Sequence, residues 1–295
     1  MIFESHAHYE APAFDDDREE LLQKLHPGMM ETIVDVGSTL ESSRQALELS
    51  KSHDFIYAAV GIHPEEIKDF GIPGKLVKEE VDGRECTNFY PEVMPPEEVE
   101  WQDNPVMREI AYMAHDDRCV AIGEIGLDYY WVKDEKARAW QKYFFRAQLE
   151  LAREMGLPVI VHSREAAADT FSMMKEACAK GTKAVIHSYS YSPEQALQYI
   201  DMGCYIGVGG VVTFKNGRKL KEVVKEIPLE RILVETDCPY MAPEPFRGMR
   251  NDSGYLPYII KRIAQIKELT EYRVMETTKD NGYDFYRIRK PHKGK

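Results

Sequence analysis

Eight short apolar runs separated by helix-forming stretches limit what this chain can become. They fall at residues 2–3, 33–36, 56–60, 120–122, 159–161, 184–186, 205–208 and 232–234. Each is too short to be a helix and is rich in Val, Ile and Ala, which suits strands buried on both faces. Between them lie segments of helical period, such as 138–155, and helix starts such as Ser38 with Glu41 three residues on and Ser192-Pro193 with Gln195. Strand and helix alternating eight times predict an α/β fold with a parallel sheet, and eight repeats favour a closed (β/α)8 TIM barrel over an open sheet.

With 295 residues, 43% of them hydrophobic, the chain can bury one large core, so residues 1–295 are expected to form one domain. No basic leader precedes an apolar stretch and no apolar run is long enough to span a bilayer, so a soluble protein is expected, with no membrane role. Cys86, Cys119, Cys178, Cys204 and Cys238 are odd in number, scattered and never in a C-x-x-C pair, which indicates neither a disulfide framework nor a zinc ribbon and fits a reducing cytoplasm. The net charge of −12 argues against a protein that coats nucleic acid, because such affinity comes largely from Lys and Arg. It leaves room for a nuclease whose positive potential is local, supplied in part by bound cations.

Two regions break the rhythm. Residues 74–104 contain Pro91, Pro95 and Pro96 and nine acidic against three basic residues, and read as a solvated surface excursion inserted between the third and fourth strands. The basic tail 290–295 reads as frayed.

Donor side chains collect at the ends of these runs. His6 and His8 follow the first, Glu124 the fourth, His162 the fifth, His187 the sixth and Asp237 the eighth. In a barrel these positions converge on the C-terminal mouth. His6 and His8, at i and i+2 of an extended strand, point to one side and can chelate one ion. A core has no reason to gather six such donors at strand ends, since burying them unpaired is costly. Four imidazoles and two carboxylates exceed one tetrahedral zinc and suit two divalent ions sharing a carboxylate, with Mg, Mn and Zn all open as identities. Paired ions suit phosphoester hydrolysis, although amide, lactone or deaminase chemistry can use the same metals.

Taken in order, F-E-S-H-A-H-Y from Phe3, G-I-H-P-E from Gly61, G-E-I-G-L-D-Y-Y from Gly123, P-V-I-V-H-S-R-E-A from Pro158, A-V-I-H-S-Y-S from Ala184 and L-V-E-T-D-C-P-Y-M-A-P from Leu233, continuing to R-G-M-R-N at Arg247, resemble the TatD-type deoxyribonucleases among the amidohydrolase-like barrels, over nearly the whole chain. The resemblance implies a metal-dependent hydrolase that cleaves DNA phosphodiesters, often exonucleolytically, with single-stranded or damaged DNA as substrate and no obligate protein partner. It implies His6, His8 and Asp237 around one ion, His162 and His187 around the other, and Glu124 bridging. Asp237 would orient or deprotonate the attacking water. A small-molecule amide or ester, or the ester of an acylated tRNA, is the competing substrate class, because such barrels reuse one metal frame.

Around these ligands stand His63, Asp128, Tyr129, Arg164, Arg247, Arg250 and Asn251. Arg164 is expected to hold a phosphate oxygen with His63 in the same pocket, and Tyr129, Tyr130 and Trp131 to stack a base or pack under the following helix; Tyr129, Arg250 and Asn251 complete the expected substrate-binding set. Four features depart from the family pattern: Glu4 stands for Asp, Tyr191 for Gly, Asp252-Ser253 for Glu-Pro, and the acidic insertion has no counterpart in the short members.

Overall fold

The computed structural model describes residues 1–98 and 100–290. Its strands are β1 (Ile2–Ala7), β2 (Met30–Val36), β3 (Ile56–Val60), β4 (Gly74–Val81), β5 (Arg84–Pro91), β6 (Cys119–Asp128), β7 (Val159–Arg164), β8 (Ala184–Ile186), β9 (Tyr205–Val208) and β10 (Ile232–Val234). The helices are α1 (Arg18–Leu25), α2 (Leu40–Ser52), α3 (Pro105–Ala114), α4 (Glu135–Met155), α5 (Ala167–Ala179), α6 (Pro193–Asp201), α7 (Arg218–Glu226), α8 (Leu256–Lys267) and α9 (Glu271–Tyr286). All eight apolar runs lie in strands of one parallel sheet, ordered β1-β2-β3-β6-β7-β8-β9-β10. The sheet nearly closes on itself: the His8 amide donates to the Cys238 carbonyl at 2.9 Å and the Asp237 amide to the His6 carbonyl at 3.0 Å. The seam of the barrel therefore runs through expected metal ligands.

Alternation along the strands divides the core in two. Residues such as Ile33, Val60, Ile122, Val161, Ile206 and Val234 pack outward under the helices. Phe3, Val34, Ala59, Ala121, Ile160, Val185 and Leu233 point inward and fill the barrel, where Tyr283 and Tyr286 of α9 join them. Phe3 stacks on Tyr286, and the Tyr283 hydroxyl meets Thr32 Oγ1 at 2.9 Å, so α9 closes the end where the strands begin. That leaves the other end open. On α4, Trp140, Phe144, Phe145 and Leu151 are buried against the barrel, each stabilising the fold by roughly 1.5–3 kcal/mol.

Local chemistry sets the boundaries. Ser192 caps α6, its side chain accepting from the Gln195 amide at 3.3 Å. At α2 the cap is Thr39 and not Ser38, because Thr39 and Ser42 exchange side-chain-to-backbone bonds in a capping box.

The insertion corrects the expectation of a solvated loop. β4 and β5 form an antiparallel hairpin paired from Gly74↔Pro91 to Val81↔Arg84. Its turn is Asp82-Gly83, with φ of 51° and 76°. Two positive φ values match a two-residue turn whose twist suits paired strands, for which Asp-Gly is a strong sequence signal. The acidic composition masked that signal. In the tail, Lys290 pairs with Asp280 at 2.7 Å, and residues 291–295 lie outside the described set.

Candidate metal centre

Strand ends deliver the donors. His6 lies on β1 and His8 just beyond it, past an irregularity in the β1–β2 register. Their Nε2 atoms stand 3.1 Å apart. Glu124 comes from β6, with Oε2 3.5 Å from His6 Nε2 and 3.9 Å from His8 Nε2. Asp237, three residues after β10, places Oδ1 3.4 Å from His8 Nε2, 3.8 Å from His6 Nε2 and 3.7 Å from His187 Nε2. His187 Nε2 is also 3.9 Å from Glu124 Oε1. His162, on β7, meets that same oxygen through Nδ1 at 2.9 Å. All six expected ligands thus converge on one pocket at the open end.

Residues behind the donors fix them. His8 Nδ1 lies 2.6 Å from the Val36 carbonyl, which holds the proton on that nitrogen and leaves Nε2 a lone pair. His187 Nδ1 faces Glu235 Oε2 at 3.1 Å. Glu235 is buried, and Gly207 makes its space: a Cβ there would stand 2.5 Å from the carboxylate. His162 Nε2 pairs with Asp128 Oδ2 at 3.0 Å, while Asp128 Oδ1 accepts the amides of Tyr130 and Trp131. Gly126 carries β6 past His162 at φ 145°, where a Cβ would lie 2.0 Å from the His162 carbonyl oxygen.

Two of the family departures touch each other. Glu4 Oε2 accepts from Thr236 Oγ1 at 2.7 Å and from Ser253 Oγ at 3.0 Å, and Oε1 accepts the amides of Thr236 and His6. The buried carboxyl, pushed up to about 7 by desolvation, ties the His6 strand to the Asp237 loop.

The electrostatics call for positive charge. Burial opposes ionisation of Glu124, yet His187, His162 and His6 outweigh it and hold the carboxyl well below its usual range. Asp237 is lowered likewise, burial being overcome by His187 and His8. Burial also works against protonation of His162 and His187, but Asp128 and Glu124 raise the first to about 10, and Glu235, Glu124 and Asp237 raise the second to about 9. His6 is lowered by burial and by the charge of His187. Imidazolium here occupies the electrostatic place a cation would take. Donor atoms sharing an ion at about 2.1 Å stand roughly 3.4 Å from one another, close to the 3.1–3.9 Å separations around His6, His8, His187, Glu124 and Asp237. The donor set fits divalent metal, in three overlapping groups: His6–His187–Asp237, His6–His8–Glu124 and His63–Glu124–His162.

The profile of the family described as TatD related DNase matches residues 3–287. The chain belongs to that family. A metal-dependent hydrolase of Bacillus subtilis, YabD, is 38% identical over 288 residues, spanning 98% of this chain and all of that protein. A protein of Cronobacter sakazakii named 3'-5' ssDNA/RNA exonuclease TatD is 28% identical over 258 residues, 85% of each chain. Among solved structures, the TatD homologue YJJV of Escherichia coli superposes with a TM-score of 0.80 at 24% identity, over 98% of both chains. This TatD-family protein is accordingly a metal-dependent hydrolase, built on the metallo-dependent hydrolase type of barrel. Among the described residues no helix is long and apolar enough to cross a membrane.

The remaining residues of the expected substrate set are placed differently. His63 sits in the centre, Nε2 3.7 Å from Glu124 Oε1, while Nδ1 accepts the Glu65 amide at 3.3 Å. One nitrogen holds the turn and the other faces the ligands. The Arg164 guanidinium sits over the Tyr130 ring, 3.9 Å from its centre. Tyr129 is turned away, its hydroxyl donating to Asp169 at 2.6 Å beneath Arg138, so it packs below α4 instead of offering a stacking face. Arg250 forks onto Asp17 at 2.7 and 2.6 Å. Asn251 is fully buried and its amide donates to the Thr236 and Tyr240 carbonyls, bracing the Asp237 loop from behind and not reaching for substrate. Sequence reading missed Glu10, Glu235 and Tyr240. Glu10 stands 3.6 Å from His8 Nδ1, and Tyr240, 59% exposed, sets its ring 6.3 Å from that of His8. Only the run L-V-E-T-D, with a second carboxylate two residues before Asp237, hinted at Glu235.

Proposed function

We propose that this TatD-family hydrolase cleaves phosphodiester bonds of DNA, exonucleolytically, using two divalent ions. The observation that carries the reading is the convergence of four imidazoles and two ionised carboxylates at the open end of the barrel, with Arg164 following two residues after His162 on β7. His6, His8 and Asp237 would hold one ion, His162 and His187 the other, and Glu124, the carboxylate within 4 Å of all four imidazoles, would bridge them. When bound, such ions lower the pKa of water and neutralise charge on phosphoryl oxygens.

The chain's own groups do the rest. Asp237, ionised at neutral pH, orients the attacking water and takes its proton at the carboxylate oxygen not turned to the ion. Arg164 presents planar donors to a non-bridging phosphate oxygen. Tyr240, exposed beside His8, offers a face for a base. The name carried by the Cronobacter relative supports a nucleic-acid substrate for this chain.

The deciding experiment offers purified protein, with manganese or magnesium, labelled single-stranded DNA, RNA, a phosphodiester chromogen, and amide and ester substrates. Hydrolysis of DNA and of the chromogen is expected. Turnover confined to amides or esters would falsify the nuclease reading.

A further inference from the structure

The hairpin of β4 and β5 has no part in the catalytic scheme above. The Glu92 amide bonds the Pro73 carbonyl at 2.9 Å, so the chain leaves the barrel and returns to it at one point. Burial alternates along the strands: Glu79, Cys86 and Asn88 turn toward the protein, and Lys78, Glu80 and Glu85 toward solvent. The inward face rests on the loop that follows β6. Asn88 Nδ2 donates to the Trp131 carbonyl at 3.0 Å and to Glu79 at 2.7 Å. At the turn, the Asp82 carboxylate lies near the Tyr130 hydroxyl. That same Tyr130 ring supports Arg164, whose centre is also 5.4 Å from the Trp131 ring. The carboxylate next to Arg164 in sequence, Glu165, pairs with Lys133 instead, and among the described residues no carboxylate lies within 4 Å of the Arg164 guanidinium. A continuous support thus runs from hairpin to aromatic loop to Arg164 at the mouth.

We propose that the hairpin is a selectivity wall: it fixes the Tyr130–Arg164 platform as the seat of the nucleotide beside the scissile phosphate, and it bars the second strand of a duplex. The inference rests on the phosphodiesterase reading above. A single strand brings one phosphate to the guanidinium and one base to an aromatic face. A duplex brings a second row of phosphates, about one charge per 1.7 Å of axis, against Glu80, Asp82 and Glu85, where like charges repel. Asn88 and Asp82 act as positioning residues through Tyr130 and Trp131.

The test excises residues 74–91, joining Pro73 to Glu92 through two glycines, in the full metal-loaded protein. Steady-state kinetics are read on a single-stranded oligonucleotide, on the corresponding blunt duplex and on bis(p-nitrophenyl) phosphate. Excision is expected to raise the duplex-to-single-strand ratio of kcat/KM at least about tenfold, chromogen turnover reporting that the metal centre is still assembled. An unchanged ratio with chromogen turnover retained overturns the wall. If excision also destroys chromogen turnover, Asn88→Ala decides: a KM for the single strand raised about fivefold at constant kcat supports the platform, and an unchanged KM overturns it. Failure of the parent protein on every phosphodiester, chromogen included, overturns the nuclease reading itself and is recognisable as such.

Discussion

Glu124 and Asp237 carry charge in a pocket where burial opposes it, and the imidazoles around them are what keep them ionised. Glu124→Ala or Asp237→Asn should therefore lower kcat by at least about a thousandfold, comparable to or beyond the loss of one preorganised electrostatic group. Circular dichroism should show the fold retained, because both residues sit at the mouth and not among the inward-packed residues of the barrel. More than a few percent of residual activity would count against the assigned roles. Glu4 supports the same pocket from behind. Glu4→Asp withdraws the carboxylate by one methylene from Ser253 and Thr236, and metal affinity measured by calorimetry should fall about tenfold, the scale of losses seen when a group behind a ligand is disturbed. Affinity equal to the parent's would mean that the contact between Glu4 and Ser253 does not bear on the ions.

Strands β6 and β7 place Glu124 and His162 side by side, and their closeness depends on a residue without a Cβ. Gly126 combines φ 145° with a 2.0 Å approach of its missing Cβ to the His162 carbonyl oxygen. Gly126→Ala must push the two strands apart, so urea unfolding should report a loss of about 3 kcal/mol, the upper end for one strained backbone position. A loss below about 1 kcal/mol would show that the strands yield easily at this point. By contrast, the Arg250–Asp17 pair that fastens the loop after Asp237 to the segment before α1 is exposed, so solvent screening leaves it little part in stability.

Across the whole molecule, metal and protons compete for one set of donors. His162 and His187 stand at about 10 and about 9 in the fold against 6.5 ordinarily, so their contribution to metal-free stability is complete below pH 6.5 and is lost as pH climbs through 9 to 10. Chelated protein should melt at lower temperature at pH 10 than at pH 7. Binding of metal demands deprotonated imidazole, so the gap in Tm between loaded and chelated protein should widen over the same range. A gap that narrows would contradict the ligand assignment. The net charge of −12 sets a second expectation. With 50 acidic against 38 basic side chains opposing a long basic track, kcat/KM for an oligonucleotide should change less than about threefold between 50 and 200 mM NaCl at fixed manganese, where a binder with many phosphate contacts loses about a thousandfold or more. A steep fall would reveal a basic track that this reading lacks.

Much of this was legible in one dimension, because parallel strands buried on both faces must be short continuous apolar runs. Eight such runs determined the barrel, and the donors directly after them determined which side chains meet at its mouth. Chain order also exposed the Asp82-Gly83 turn signal, although acidic composition obscured its meaning. What the sequence could not decide was direction and partnership, since a side chain's role depends on which of several neighbours it reaches in space. Tyr129 and Tyr130 are adjacent, yet one packs under α4 and the other carries Arg164; Arg250 and Asn251 are adjacent, yet one pairs with Asp17 and the other is buried behind the Asp237 loop. Glu10 reaches His8 locally, two residues on, whereas Glu235 becomes part of the centre only because the curved sheet brings the ends of β8 and β10 together across β9 at His187. Periodicity fixes the face on which a residue lies; only packing of the whole chain fixes what stands opposite.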